Sequence, residues 1–244
     1  DEIRQNHKFQ VRWTSFIEDL KSISQIRIPR CYNQWPETTV IIDSHTFCDA
    51  SEVAYSAVTY FRLVKSDGEI ATFFVMAKAR VAPLRKVSER KELTIPKLEL
   101  QAAVLGAKLT KTIRESSNGK SIANAYFWTD SLITLYRIKS TKKKRDVFVN
   151  NRVIKIKEIT EVSNWKWIPT EFNTADEATR GQSSVSKIIQ GQWLTGPVFL
   201  SRNESDWPTF SPPQKERVAA IIQDVEDGDG QTKLKSQVNL REAL

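Results

Sequence analysis

Four acidic residues occupy positions where chains of alternating strands and helices place functional groups: Asp49 ends the first predicted strand, Glu99 lies in the first turns of the longest predicted helix, Asp130 ends a buried strand, and Asp176 opens the last helix. Strand ends and helix starts at one edge of a sheet are where α/β proteins assemble their sites. Carboxylates gathered there would repel one another and are tolerated only with cations between them. Because the ligands are hard oxygen atoms without a cysteine pair, we expect Mg²⁺ or Mn²⁺ rather than Zn²⁺.

Each acid also has an ordinary structural interpretation. Asp49 could initiate a turn, and Glu99 could complement the dipole of its helix. Asp130 could cap the helix that follows it, and Asp176 could pair with Asn173 in a capping arrangement. Taken singly, these interpretations are the more common ones, and it is the joint occurrence of four acids in this order that favours a site.

The elements before Glu99 are predicted to be one helix and three antiparallel strands. An amphipathic stretch at Trp13–Leu20 predicts the helix, which an extended connector follows. Residues rich in β-branched and aromatic side chains predict strands at His45–Cys48, Ala54–Val64 and Ile70–Ala77, with a Ser-Asp-Gly-Glu turn before the third. A basic loop is predicted from residue 78 to residue 91.

The second half alternates helices with strands. Apolar residues recur at helical spacing after Thr94-Ile95-Pro96: Leu98, Ala102, Leu105, Leu109 and Ile113. Buried strands are predicted at Ala123–Trp128 and at residues 164–168, and a last helix is predicted to be capped by Asn173 and stopped by Gly181. The order β-β-β-α-β-α-α-β-α predicts an α/β fold: a mixed five-stranded sheet, with three antiparallel meander strands plus two further strands, flanked by helices.

The composition favours a polyanionic partner. The 244 residues include 37 Lys and Arg against 29 Asp and Glu, a net charge of +8, and the excess lies in the first 200 residues. Two cysteines cannot form a disulfide framework, and the His and Cys residues lack zinc-finger spacing. No apolar run approaches the roughly 18 residues that a membrane span needs. The chain, which starts at Asp1, is interpreted as a piece of a longer polypeptide.

Four short blocks resemble the signature blocks of ribonuclease H domains: Phe47–Ser51, Leu98–Leu100, Trp128–Ser131 and Asn173–Asp176. More narrowly, Ala77–Leu84 followed by Leu93–Leu100 is similar to the domain in Pol polyproteins of BEL/Pao-type LTR retrotransposons, as is Trp193 with Gly196-Pro197. Ile28-Pro29-Arg30 resembles the tail of the reverse transcriptase connection region. The expected fold is therefore RNase H-like.

The resemblance implies a three-part organisation. Residues 1–38 would be a connector and helix from the end of the reverse transcriptase connection region. Residues 39–182 would form the RNase H-like domain. Residues 183–244 would be an extended Trp-containing segment and linker towards a downstream integrase region.

The resemblance also implies an activity, the hydrolysis of the RNA strand of RNA–DNA hybrids during retroelement reverse transcription. Asp49, Glu99, Asp130 and Asp176 would be the catalytic residues and would bind two Mg²⁺ or Mn²⁺ ions. Two metals roughly 3.5–4 Å apart suit attack on a phosphodiester, because they activate water and stabilise the leaving oxygen. Many ribonucleases H carry a histidine on the loop before the last acid. Here that loop, Pro169–Phe172, has none, which concerns turnover or product release rather than the basic chemistry.

Candidate substrate contacts fall into two groups. Basic residues would grip phosphates without reading sequence: Lys78, Arg80, Lys142, Lys143, Lys144 and Arg145. The run from 142 to 145 could equally be a solvated loop. Polar residues beside the acids would contact the 2′-OH of RNA: Ser51, Gln101 and Asn173.

The partners expected from the resemblance are an RNA–DNA hybrid and the reverse transcriptase polymerase domain of the same polyprotein, with no membrane and no small-molecule cofactor. The expected location is intracellular, in a cytoplasmic retroelement particle, with the nucleus as the alternative. Two other functions stay open. One is a catalytically inactive or domesticated RNase H-like module that binds nucleic acid, and the other is a nuclease of the same fold that acts on duplex DNA.

Overall fold

The computed structural model describes residues 7–29, 38–83, 94–117, 122–141, 146–180 and 184–209. Its strands are β1 (Thr39–Ala50), β2 (Ala54–Lys65), β3 (Ile70–Val81), β4 (Asn124–Thr129) and β5 (Trp165–Trp167). Its α-helices are α1 (His7–Lys21), α2 (Ile95–Ser116), α3 (Leu132–Lys139), α4 (Val147–Ile159), α5 (Ala175–Arg180) and α6 (Val185–Gln190). None of the helices described is long and apolar enough to cross a membrane.

The strands form one mixed sheet in the order β3-β2-β1-β4-β5. The first three strands pair antiparallel as a meander, whereas β4 pairs parallel with β1 and β5 pairs parallel with β4. This topology confirms the predicted α/β class and the five-stranded RNase H-like sheet. Gly68 makes the turn from β2 to β3 with a φ of +86°, a conformation that residues with a side chain rarely adopt.

The long helix α2 packs on one face of the sheet through its apolar stripe, which is buried as its spacing predicts. Gly106 lies at the closest approach, where a Cβ atom would collide with Cys48 Sγ and meet Thr46 Cγ2 at 3.1 Å. The absence of a side chain at Gly106 therefore lets α2 approach β1 and brings the start of this helix to the end of that strand.

The opposite face carries a second core that is closed by the C-terminal part of the described chain. Phe47, Trp128 and Ile168 from the sheet side pack with Phe199, Leu200 and Trp207, all of them buried. The contacts include the Tyr60 hydroxyl donating to the Trp193 carbonyl at 2.8 Å, and Arg62 donating to the carbonyl oxygens of Leu200 and Arg202 at 2.9 and 3.1 Å. The domain boundary at residue 182 stays a prediction.

Three local predictions differ from the structure. β1 begins at Thr39 rather than at residue 45, and β3 continues to Val81, so Lys78 and Arg80 lie in a strand rather than in a loop. Pairing with β2 explains this extension, because Ala57 and Tyr55 satisfy the backbone of these residues whatever the polarity of their exposed side chains. The helix α6 follows residue 183, where an extended segment was expected. Asp19 of α1 accepts hydrogen bonds from the Val185 N–H at its start, at 3.0 and 2.9 Å.

Candidate active site

Asp49 and Asp130 lie at the same edge of the sheet. β1 and β4 are parallel neighbours whose register pairs Phe47 with Trp128, and each acid follows two residues later on its own chain segment. Glu99 reaches this edge from the first turns of α2. The three carboxyl groups interact electrostatically, because the negative charge of Asp49 raises the pKa values of both Glu99 and Asp130.

Glu99 has a carboxyl group that resists ionisation. Burial is the main cause, and together with the negative charges of Asp130 and Asp49 it raises the pKa of Glu99 to about 7. Two contacts act in the opposite direction, the hydrogen bond that the Ser131 hydroxyl donates to Glu99 Oε2 and the positive charge of Arg137. Such a carboxylate favours a cation over bulk solvent as its partner.

Asp130 is held through both of its carboxylate oxygens. Thr170 Oγ1 donates to Oδ2 at 2.8 Å, and Asn173 Nδ2 donates to Oδ1 at 3.0 Å. Burial and the charge of Asp49 nevertheless raise the pKa of Asp130, against these two hydrogen bonds. Asp130 does not cap α3, since Ser131 accepts from the Thr134 N–H at 3.2 Å and is the capping residue.

The side chain of Asn173 donates a hydrogen bond to one of the acids instead of capping the last helix, as had been expected. Its amide nitrogen donates to Asp130 and also to the carbonyl oxygen of Cys48 at 3.1 Å. Its Oδ1 is buried without a hydrogen-bond partner among the described residues. The prediction that the Asn173 side chain caps the last helix is therefore wrong. Its amide nitrogen donates to the Cys48 carbonyl of β1 and to Asp130, and its Oδ1 accepts from no described N–H group of the helix.

Asp49 is buried, with 2% of its surface exposed. Its Oδ2 accepts a hydrogen bond from Thr179 Oγ1 at 2.6 Å. The carbonyl of Thr179 in turn accepts from Ser51 Oγ at 3.0 Å. Sequence reasoning missed Thr179, although its position three residues after Asp176 places both residues on one face of a helix.

Asp176 lies in the first turn of α5, and its contacts differ from those of the other acids. Its Oδ1 is 2.8 Å from Arg180 Nε in an ion pair, yet the two groups are not aligned for a hydrogen bond, and this buried oxygen has no hydrogen-bond partner among the described residues. Burial and the charge of Asp176 raise the pKa of the adjacent Glu177. The link from Asp176 to Asp49 runs through Thr179, whose Oγ1 is 3.0 Å from the Asp176 carbonyl oxygen.

The remaining candidates for substrate contact are dispersed. Ser51 Oγ is engaged by backbone groups, accepting from the N–H groups of Val53 and Ala54 at 3.2 Å each. Lys78 and Arg80 are exposed on β3. Lys142, Lys143, Lys144 and Arg145 lie outside the described residues.

Gln101 has a basic neighbour that sequence reasoning did not single out. Its Oε1 accepts a hydrogen bond from Arg152 Nε of α4. The guanidinium of Arg152 also lies over the Phe148 ring, 3.2 Å from its centroid. The sequence could have indicated only the contact between Phe148 and Arg152, because these residues are four positions apart on α4 and therefore share a helix face. No local spacing indicates the contact of Arg152 with Gln101.

The donor set fits a hard divalent cation in its chemistry. It consists of carboxylate oxygens, two of the groups have raised pKa values, and Asp176 Oδ1 is buried without a hydrogen bond from the described residues. Within the described part of the chain, however, no group of three or more His, Cys, Asp or Glu side chains lies close enough together to hold an ion. A closed ligand shell would require the side chains to move, with Asp176 turning from Arg180.

The comparisons with known proteins identify the class of domain. A family model described as the Pao retrotransposon-like RNaseH-like domain matches residues 2–131. Because the match covers more than half of the 244 residues, the chain belongs to this family. The resemblance to the RNase H region of BEL/Pao-type elements is thus confirmed. No curated protein matches the chain.

Solved ribonuclease H structures are similar to this chain at low identity. RNase H1 from the halophilic archaeon Halobacterium salinarum NRC-1 has 12% identity and a TM-score of 0.35, covering 58% of this chain and 98% of that one. The N-terminal RNase H domain of a Mycobacterium tuberculosis protein has 11% identity and a TM-score of 0.35, covering 58% and 94%. LC11-RNase H1, solved in complex with an RNA/DNA hybrid, has 15% identity and a TM-score of 0.33, covering 61% and 99%.

Proposed function

We propose that this chain is a metal-dependent endonuclease that hydrolyses the RNA strand of RNA–DNA hybrids during retroelement reverse transcription. The observation that carries the proposal is that Asp49, Glu99 and Asp130, from three separate elements, lie at one edge of the sheet, near enough for their charges to interact. A structural role alone does not account for it, because burying acids together is unfavourable unless a cation joins them. Membership of the Pao retrotransposon-like RNaseH-like family supports the same activity.

Asp49, Glu99, Asp130 and Asp176 would hold two Mg²⁺ or Mn²⁺ ions. When bound, such ions supply an activated water and stabilise the leaving oxygen of the phosphodiester. The protein's own contribution is to orient the acids. Ser131 holds Glu99, while Thr170 and Asn173 hold both oxygens of Asp130.

The proposed substrate contacts follow from charge and position. Lys78 and Arg80, with Lys142, Lys143, Lys144 and Arg145, would bind phosphates, and this electrostatic binding would weaken with salt. Asn173, which donates to Asp130, and Gln101, two residues after Glu99, would contact the 2′-OH of the RNA strand. Ser51 would do so once its hydroxyl exchanges a backbone partner for substrate.

The proposed protein partner is the reverse transcriptase polymerase domain of the same polyprotein, in a cytoplasmic retroelement particle. The helix α1 offers a surface for it, because none of its residues is buried and Phe9, Trp13 and Phe16 are each about half exposed. Large apolar groups clustered on a surface mark protein–protein contacts.

A second candidate is an RNase H-like module that binds nucleic acid without cutting it. The ion pair of Asp176 with Arg180 favours this alternative, because it gives the fourth acid a partner other than a metal. The net charge of +8 is compatible with both functions.

A cleavage assay distinguishes these functions. The chain is incubated with end-labelled RNA in an RNA–DNA hybrid, with and without Mg²⁺ or Mn²⁺, beside RNA–RNA and DNA–DNA duplexes. The enzyme is expected to cut only the RNA of the hybrid and only with metal, whereas Asp49→Asn binds the hybrid without cutting it. Binding by the wild-type chain without cleavage in either metal would favour the binding module. Cleavage of the DNA duplex would favour a nuclease of the same fold that acts on duplex DNA.

A further inference from the structure

Thr179 joins the last helix of the site to its first strand by two hydrogen bonds. Its hydroxyl lies 2.6 Å from Asp49 Oδ2, and its carbonyl accepts from Ser51 Oγ at 3.0 Å. Thr179 is buried at 2% exposure. Residues 130 positions apart in the chain are thus held at hydrogen-bond distance without solvent between them.

The hydroxyl of Thr179 has one proton and two acceptors within reach. The carbonyl oxygen of Asp176, three residues earlier, lies at 3.0 Å, an ordinary contact for threonine within a helix. Asp49 Oδ2 lies closer, at a distance typical of a hydroxyl donating to a carboxylate. The charged acceptor is the stronger one, so the proton is directed to Asp49.

We propose that Thr179 is a positioning residue, which fixes the orientation of the Asp49 carboxylate and couples it to the helix that carries Asp176. Thr179 and Asp176 lie on the same face of α5, so the hydrogen bond to Asp49 also sets how near that helix stands to the end of β1. The effect of Thr179 on metal binding and cleavage rests on the proposed function. Its effect on the orientation of the Asp49 carboxylate does not.

The test compares substitutions at Thr179 with a matched control. Thr179→Val keeps the shape and removes the hydroxyl, Thr179→Ser keeps the hydroxyl, and Thr179→Ala removes it without placing a methyl group against Asp49. Thr110 of α2 is equally buried, and its hydroxyl lies 2.6 Å from that of Thr46, away from the acids. Thr110→Val therefore reports the general effect of losing a buried hydroxyl.

Three readouts test the inference: Mn²⁺ affinity, hybrid cleavage and the structure of the metal-free variants. Mn²⁺ affinity, measured by calorimetry, is expected to fall roughly 10- to 100-fold in Thr179→Val and Thr179→Ala, the usual cost of losing a partner that orients a metal ligand. It should stay near the wild-type value in Thr179→Ser and Thr110→Val. Hybrid cleavage should lose kcat while KM changes little, because the phosphate contacts are untouched.

The third readout, the structure of the variants, needs no metal and does not depend on the proposed function. Crystal structures of the metal-free variants should show the Asp49 carboxylate rotated in Thr179→Val and Thr179→Ala, but not in Thr179→Ser or Thr110→Val. An unchanged Asp49 in both hydroxyl-free variants, or unchanged Mn²⁺ affinity in both, would overturn the inference. Failure of the wild-type chain to bind Mn²⁺ or cut hybrid would instead count against the proposed function, and the metal-free structures would still decide the role of Thr179.

Discussion

Asn173 lies with its amide nitrogen 3.0 Å from Asp130 Oδ1. This contact fixes the end of β4 to the loop before α5, and the other amide hydrogen reaches the Cys48 carbonyl at the end of β1. One side chain thereby holds together the two strand ends that carry Asp49 and Asp130. Because the carboxylate is buried, the donor also favours its charged form.

Asn173→Ala is expected to destabilise the domain. It leaves the Cys48 carbonyl and one oxygen of Asp130 without a donor, and an unsatisfied buried acceptor costs about 1–3 kcal/mol. Urea denaturation at pH 7 measures the change. Asn151→Ala, on the exposed side of α4, is the control and should change the free energy of unfolding by less than about 0.5 kcal/mol. Equal stability of the two variants would show that the Asn173 contacts contribute nothing net.

The pKa of Glu99 predicts how stability depends on pH in the absence of metal. The folded value of about 7 exceeds the ordinary value of 4.5, so between these pH values the folded state binds more protons than the unfolded state. The contribution of Glu99 is therefore favourable below pH 4.5 and is lost as pH rises through 7, on the order of 3 kcal/mol for the full shift. Glu99→Gln should remove this loss and make the metal-free domain more stable at pH 8.

His45 also contributes a pH dependence to stability. The difference in stability between Glu99→Gln and wild type is therefore more informative than the stability of either protein as a function of pH. It is fully buried and accepts from Trp128 Nε1 through Nδ1 at 3.2 Å, and burial with the charges of Arg62 and Lys166 holds its pKa well below 6.5. Its contribution is present above pH 6.5 and is lost as pH falls, opposite in sign to that of Glu99. The stability gain of Glu99→Gln over wild type should shrink as pH falls from 8 towards 4.5. A gain that does not vary with pH would contradict the raised pKa.

The packing of the C-terminal segment predicts the result of a truncation. A chain of residues 1–182 lacks Phe199, Leu200 and Trp207, which are buried against the sheet. Burying one large apolar side chain contributes about 1.5–3 kcal/mol, so the loss should exceed about 3 kcal/mol. It also exposes the buried pair of Arg62 and Asp43.

Thermal and urea denaturation of three chain lengths tests this expectation. A chain of residues 1–209 retains the second core. The chain ending at residue 182 should therefore unfold at lower temperature and lower urea concentration than the 1–209 chain and the 244-residue chain. Equal stability of all three would place the boundary of the folded domain at residue 182, as the sequence predicts.

The sequence was a good guide to features that depend on local pattern. Alternation and helical spacing predicted the sheet, and the order of the strands predicted that Asp49 and Asp130 lie at one edge of it. The hydrogen bonds that orient these acids were not predictable, because Thr179 and Asn173 find partners more than 40 residues away. The sequence pattern predicted a loop at Lys78, but backbone pairing with β2 keeps this residue in a strand although its side chain is polar and exposed. It did not predict α6, because a helix of six residues is too short to show a clear helical period.

Arg180 is expected to compete with a divalent ion for Asp176. Its Nε lies 2.8 Å from Asp176 Oδ1, and about half of its side chain is exposed, so solvent screens the pair and its strength is at most about 1 kcal/mol. Arg180→Gln should therefore raise the affinity for Mn²⁺ by roughly two- to fivefold, measured by calorimetry at low salt, and the gain should shrink as salt increases. Lys187→Gln removes the same charge from an exposed position on α6 and controls for net charge. An Arg180→Gln variant that binds Mn²⁺ more weakly than Lys187→Gln would mean that Arg180 supports the site instead of competing for Asp176.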